Sequence, residues 1–238
     1  MTQIIDRPTL RTPLRPVVPP LRNGDNLTRE EFIRRYEAMP GGVKAELIDG
    51  VVYMAPPVSH SFHSNPHYNL IALLGTYSIA TPGVIGGDNG SLFLDVNNMP
   101  QPDIYLMIAP GSGGSAKISD DGYVVGAPEL IIEISNTSAD FDLHQKMDVY
   151  RRNGVGEYLV WRTFDSALDY FVAEDGTFRQ QNPGSDGLFR SNLFPGLWLN
   201  GSAILAGNLL TAAADIRRGI ESPEHTAFVE DLRGRAGR

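Results

Sequence analysis

PELIIEISNTSADFDLHQKMDVYRR, Pro128 to Arg152, says more about the architecture than any other part of the chain. It opens on an apolar, β-branched run, Leu130 to Ile134, closed by Ser135, Asn136, Thr137 and Ser138. Such a short run between turn-forming residues predicts a strand buried on both faces, yet Glu133 sits within it. A helix is predicted next, over about 140–152, with Leu143, Met147 and Tyr150 as its inward stripe. Lys146 falls on that same stripe, three residues after Leu143 and four before Tyr150. An unpaired charge is costly to bury, so the economical reading makes Glu133 and Lys146 neighbours at one polar site.

Outward from this strand–helix pair, the 238 residues suffice for one domain with terminal extensions. The chain has no cysteine, which removes disulfides, thiolate metal sites and a cysteine nucleophile. No apolar run approaches the roughly 20 residues that span a bilayer, so no membrane association is expected. The first residues lack an apolar core of signal-peptide type, and the expected compartment is the cytoplasm. A net charge of -8 weighs against tight non-specific DNA binding. Arginines nevertheless gather at both ends: Arg7, Arg11, Arg15 and Arg22 in front, Arg217, Arg218, Arg233, Arg235 and Arg238 behind.

Residues 1–24 are Pro-rich and aperiodic, which predicts an extended arm. The expected domain covers 25–210. It begins with a helix at Thr28, where Thr28 and Glu31 have capping-box spacing. A hairpin over 44–54 turns at Asp49-Gly50. A second helix, from 64 or 66 to 80, follows three histidines, His60, His63 and His67, and carries Leu70, Leu73, Leu74 and Tyr77 on one side. Gln101-Pro102-Asp103 opens a strand over 104–108, and a Gly/Ser loop over 110–122 precedes the central pair. Strands are predicted at 157–161 and 167–173, with Asp175-Gly176 turning into 177–180. Residues 203–215 read as helical, and 211–238 as a polar tail with room for one short helix. Strands outnumber helices, and the central helix links two strands as in a βαβ unit. The expected class is therefore α/β, a mixed, curved sheet flanked by helices.

Four residues can carry chemistry together: Glu46, Asp103, Glu133 and Lys146. Two carboxylates from adjacent strands can bind a hard divalent cation such as Mg²⁺, and a nearby lysine can orient water or offset charge. These parts suit phosphodiester hydrolysis. Blander roles exist for three of them: Asp103 as a turn former after proline, Glu133 facing water on an edge strand, Lys146 paired at the surface with Asp142. Lysine is rare here, only Lys44, Lys117 and Lys146 among 20 basic residues, and a compact ammonium is not interchangeable with a guanidinium. His60, His63, His67 and His144 read either as polar residues near a helix start or as support for a phosphate or a carboxylate. Their spacing matches no strong zinc pattern. Gly111 to Gly114 lacks a following Lys-Ser/Thr, and no G-x-S-x-G elbow occurs.

Taken in order, Glu46–Gly50, the histidine-bearing helix approach, Gln101–Asp103, Pro128–Ser135, Asp142–Lys146 with Tyr150, Gly154–Tyr158 and Phe194–Trp198 resemble one family. The chain is similar over about 28–206 to the Uma-type family of predicted restriction endonucleases, a bacterial branch of the PD-(D/E)XK nuclease superfamily. The resemblance implies a restriction-endonuclease-like core and Mg²⁺-dependent hydrolysis of DNA, with Mn²⁺ a possible substitute. Asp103 would match the "PD" aspartate and Glu133 the following acidic residue, both as metal ligands, with the Ile134 carbonyl as a further one. The lysine expected two residues after Glu133 is Ser135; Lys146 looks like its migrated replacement. Glu46 resembles an additional N-terminal glutamate. A homodimer is implied if two cuts are needed, with the Pro-rich arm a candidate for exchange between subunits. The rivals are a non-enzymatic interaction protein on the same fold, favoured by the acidic balance and Ser135, and an RNA or small-phosphate hydrolase.

Overall fold

Local chemistry sets out the first elements of the computed structural model, which describes residues 18–237. Residues 1–17, most of the expected arm, lie outside that range. Helix α1 (Arg29–Tyr36) starts at Thr28, whose hydroxyl accepts the Glu31 N–H at 3.4 Å. The reciprocal half of a capping box does not form, because the Glu31 carboxylate pairs with Arg34 at 2.7 Å and Arg35 at 2.6 Å. Strands β1 (Ala45–Ile48) and β2 (Val51–Met54) make the predicted hairpin. Its turn residues Asp49 and Gly50 have φ of 51° and 76°, the double positive φ that a tight hairpin requires.

A π-helical turn, His60–Ser64, leads into α2 (Asn65–Ala80), which buries Leu70, Leu73, Leu74 and Tyr77. Strands β3 (Val84–Asp88), β4 (Leu92–Phe93), β5 (Ile104–Ile108), β6 (Lys117–Ile118), β7 (Val124–Val125) and β8 (Leu130–Ser135) follow. Residues 139–152 form one helical segment: α3 (Ala139–Phe141), a π-turn over Asp142–Lys146, and α4 (Met147–Arg152). Then come β9 (Glu157–Arg162), β10 (Ala167–Glu174), β11 (Thr177–Gln181), β12 (Leu188–Arg190), β13 (Trp198–Asn200), α5 (Gly201–Leu205), α6 (Leu209–Ile220) and α7 (Pro223–Ala236).

The main sheet has six strands in the order β11-β10-β9-β8-β5-β3. Only β8 and β9 are parallel, joined through the helical segment 139–152; the other neighbours are antiparallel. The sheet is thus mixed and open, with helices against it. Alternation along β8 sorts its side chains. Leu130, Ile132 and Ile134 join a core with Leu74, Tyr77 and Ile216, while Ile131 joins a second core with Tyr150 and Tyr158. Glu133 and Ser135 share the face of Ile131, the face that the helical segment 139–152 covers. Among the described residues no helix is long and apolar enough to cross a membrane.

The C-terminal part differs from the expected polar tail. A limit at 210 falls inside α6, and α6 and α7 are full helices that add Ala212, Ile216 and Leu232 to the main core. The stripe is hard to see in sequence because Asp215, Gly219 and His225 are buried on it and interrupt the apolar pattern. Docking relies on two glycines: a Cβ on Gly219 would lie 2.1 Å from the Gly196 carbonyl oxygen. That approach explains why the Phe194–Trp198 motif needs Gly196, which also has φ of 86°.

Not every buried carboxylate belongs to a site. Glu157, fully buried, accepts from Tyr170 Oη and Ser191 Oγ, both at 2.6 Å, and from the N–H groups of Asn192 at 2.6 Å and Leu193 at 3.1 Å. It pins the 191–194 loop to the sheet. Glu157→Gln is expected to cost about 1–3 kcal/mol in urea unfolding, since an amide cannot accept from all four donors. An unchanged midpoint would refute this role.

Candidate active site

Register places the two strand carboxylates together. Ile104 of β5 lies opposite Ile132 of β8, so one step outward sets Asp103 opposite Glu133. The Ile134 N–H donates to Asp103 Oδ2 at 2.8 Å, and the Asp103 N–H reaches Glu133 Oε2 at 3.4 Å. Asp103 is therefore built into the strand pair and is not a free turn residue.

The helical segment supplies the counter-charge. Lys146 is 4% exposed and its Nζ lies 2.9 Å from Glu133 Oε1, 3.0 Å from Glu46 Oε2 and 3.9 Å from Asp142 Oδ1. The structure thus brings Glu46, Asp103, Glu133 and Lys146 into one cluster. The alternative of a surface Asp142–Lys146 pair does not hold, because both side chains are buried. Asp142 is itself anchored: Ser135 Oγ donates to its Oδ2, and Ser138 Oγ donates to the same oxygen at 2.7 Å. Ser135, at the position where the resemblance implies a lysine, holds the first turn of the segment that carries Lys146. The π-turn at 142–146 lies at this place, and such turns recur where a helix must present a side chain out of α register.

Sequence reasoning left three members unassigned. Tyr150 Oη donates to Glu133 Oε1 at 2.7 Å; its place on the apolar stripe hid its hydroxyl. His63 Nε2 lies 3.1 Å from Asp103 Oδ1, and His67 Nε2 lies 2.9 Å from the Asp103 carbonyl oxygen. Of the four ambiguous histidines, these two touch Asp103. His60 is exposed, and His144 Nδ1 lies 2.7 Å from the Asp140 carbonyl oxygen within its own helix. Glu46 is fixed by the Gln101 N–H at 3.2 Å.

Electrostatics follow from four carboxylates sharing one ammonium. Burial pushes the Glu133 carboxyl up to about 8; Lys146 offsets part of this, while Asp142, Asp103 and Glu46 add to it. Burial alone would lower Lys146, but Glu133, Glu46 and Asp142 outweigh it and hold the ammonium well above its usual range. Burial would likewise raise Asp103, but His63 and the Ile134 N–H hold it below the usual carboxylate range. Burial first, then Glu133 and Glu46, keep Tyr150 protonated.

The cluster forms the floor of a cleft of about 750 Å³. Among the described residues no three His, Asp or Glu side chains stand together as a metal-holding group. The donor set does fit a cation that keeps most of its water: two hard carboxylates on facing strands, a carbonyl beside them, and an excess of buried negative charge.

An open mixed sheet whose carboxylates converge where β5 meets β8 defines a restriction-endonuclease-like α/β protein. The chain matches the Uma2 family model, described as "Putative restriction endonuclease", over residues 29–202, and it belongs to that family. No curated protein matches it. Among solved structures it is similar to a "putative nuclease belonging to DUF820" from Anabaena variabilis, with a TM-score of 0.56 and 14% identity. That match covers 73% of this chain and 97% of the other. At this identity the likeness speaks for the fold alone.

Proposed function

We propose that the protein is a divalent-metal-dependent endonuclease that hydrolyses DNA phosphodiester bonds. The observation that carries this reading is the convergence of Asp103, Glu133, Glu46 and Lys146 in one buried-floored cleft. Asp103, Glu133 and the Ile134 carbonyl would hold Mg²⁺ or Mn²⁺. When bound, such an ion lowers the pKa of a coordinated water and offsets charge on a phosphate oxygen.

The chain's own groups do the rest. His63 and the Ile134 N–H orient Asp103, and Tyr150 orients Glu133. Lys146 positions the attacking water and stabilises charge on the reacting phosphate. Glu46 fixes Lys146 at the mouth of the cluster. In the reaction the water oxygen forms a bond to phosphorus while a bridging P–O bond breaks, and the leaving oxygen takes up a proton. A homodimer would supply a second such site for the second strand.

One observation favours a second reading, a hydrolase of a smaller phosphodiester. Four carboxylates and only two lysines, Lys44 and Lys146, line the cleft. The test is conversion of supercoiled plasmid to its nicked form in Mg²⁺ or Mn²⁺, stopped by EDTA. Nicking that persists in EDTA, or equally in Glu133→Gln, would sink the assignment.

A further inference from the structure

The cleft is poorly equipped for a duplex. Duplex binders neutralise a run of phosphates on both strands with exposed Lys and Arg. Here, of the two lining lysines, Lys146 is buried among carboxylates and Lys44 donates to Asn89 Oδ1. Among the described residues several arginines near the helix ends are also engaged, Arg151 with Asp148 and Arg152 with both Asp148 and Asp49.

Its walls are instead equipped for exposed bases. Tyr53, Met54, Pro56, Pro57, Val58 and Phe141 line one side. The Tyr53 and Phe141 rings stand 4.4 Å apart. Beside the cleft, Phe62 and Phe164 form a second ring pair, with centroids 4.6 Å apart, yet they remain 40% and 57% exposed. Their backbone is braced. Ser59 Oγ accepts the Phe62 N–H at 3.2 Å, and Thr163 Oγ1 donates to the Phe62 carbonyl at 2.8 Å. Ser59 and His63, on either side of Phe62 in sequence, both line the cleft.

We propose that the cleft takes single-stranded DNA, with unstacked bases on the Phe62–Phe164 pair and the Tyr53–Phe141 wall and one phosphate at the Asp103–Glu133 floor. Aromatic platforms bind single strands with little regard to sequence, because every base has a π-face. A strand held this way needs few cations, which is what this cleft offers. The assignment rests on the nuclease reading above and narrows its substrate.

The test is equilibrium binding of the full chain to a fluorescein-labelled single-stranded oligodeoxynucleotide and to the duplex of the same sequence, in Ca²⁺. The single strand is expected to bind at least about tenfold tighter, with a shallow salt dependence that reflects few phosphate contacts. Phe62→Ala/Phe164→Ala weakens single-strand binding by about tenfold to a hundredfold. Phe62→Leu/Phe164→Leu keeps apolar bulk and loses a comparable part, because the π-face is gone. Thermal melting, measured in parallel, stays within a few degrees for both variants, since both side chains lie at the surface and outside the buried core clusters. A duplex bound as tightly as the single strand, or an alanine variant that binds like wild type, overturns the single-strand assignment. In either case metal-dependent plasmid nicking leaves the nuclease reading standing. Binding of neither DNA, together with no nicking in Mg²⁺ or Mn²⁺, overturns both.

Discussion

Lys146→Met is expected to lower the unfolding free energy by about 3–5 kcal/mol and to abolish DNA cleavage. The stability loss follows from burial. Lys146 lies among Glu133, Glu46 and Asp142, and its removal leaves the Glu46 and Asp142 charges uncompensated and drives the buried Glu133 carboxyl to its neutral form. Methionine fills much of the same volume, so little of the loss comes from a cavity. Urea unfolding of the single and double variants separates the terms. Glu46→Gln in the Lys146→Met background should recover a measurable part of the stability, because it removes a carboxylate that Lys146 holds at 3.0 Å. Cleavage should not return with it. Wild-type stability in Lys146→Met would mean that the lysine is not the keystone of this cluster.

Asp103→Asn is expected to reduce metal-dependent nicking by at least about a hundredfold while leaving the fold nearly intact. The asparagine oxygen can still accept the Ile134 N–H that Asp103 accepts at 2.8 Å, so the β5–β8 pairing survives. What is lost is one of the two carboxylate charges at the floor of the cleft. The two measurements should therefore move apart: Asp103→Asn lowers activity with little change in melting, whereas Lys146→Met lowers both. Equal residual cleavage in wild type, Asp103→Asn and Lys146→Met would identify a contaminating nuclease. A large melting change in Asp103→Asn would assign Asp103 a mainly structural role.

Much of the fold was legible because it is written in local patterns. The β-branched run at 130–134, the turn residues Asp49-Gly50 and Asp175-Gly176, and the leucines of α2 each specify an element without reference to the rest of the chain. Two charges out of place, Glu133 and Lys146, marked the site for the same reason: a charge inside an apolar pattern is visible in one dimension. The C-terminal helices were less legible, since their buried face includes Asp215, Gly219 and His225 and their docking depends on the contact of Gly219 with Gly196. Buried glutamates were ambiguous. Glu157 begins a strand and Glu133 interrupts one, yet four donors surround the first and three further carboxylates the second.

Local patterns alone carry most elements as far as β11, the family and the four residues of the cluster. How those residues meet depends on long-range packing. Register across β5 and β8 sets Asp103 against Glu133. The π-turn at 142–146 brings Lys146 to within 2.9 Å of Glu133, while Ser135, standing where the resemblance implies a lysine, secures Asp142. Strand pairing and helix packing join residues 30 to 100 positions apart, and no local pattern encodes such distances. The partners that orient the carboxylates, His63 and Tyr150, come from two different helical segments. Their roles exist only once those segments pack on the same end of the sheet.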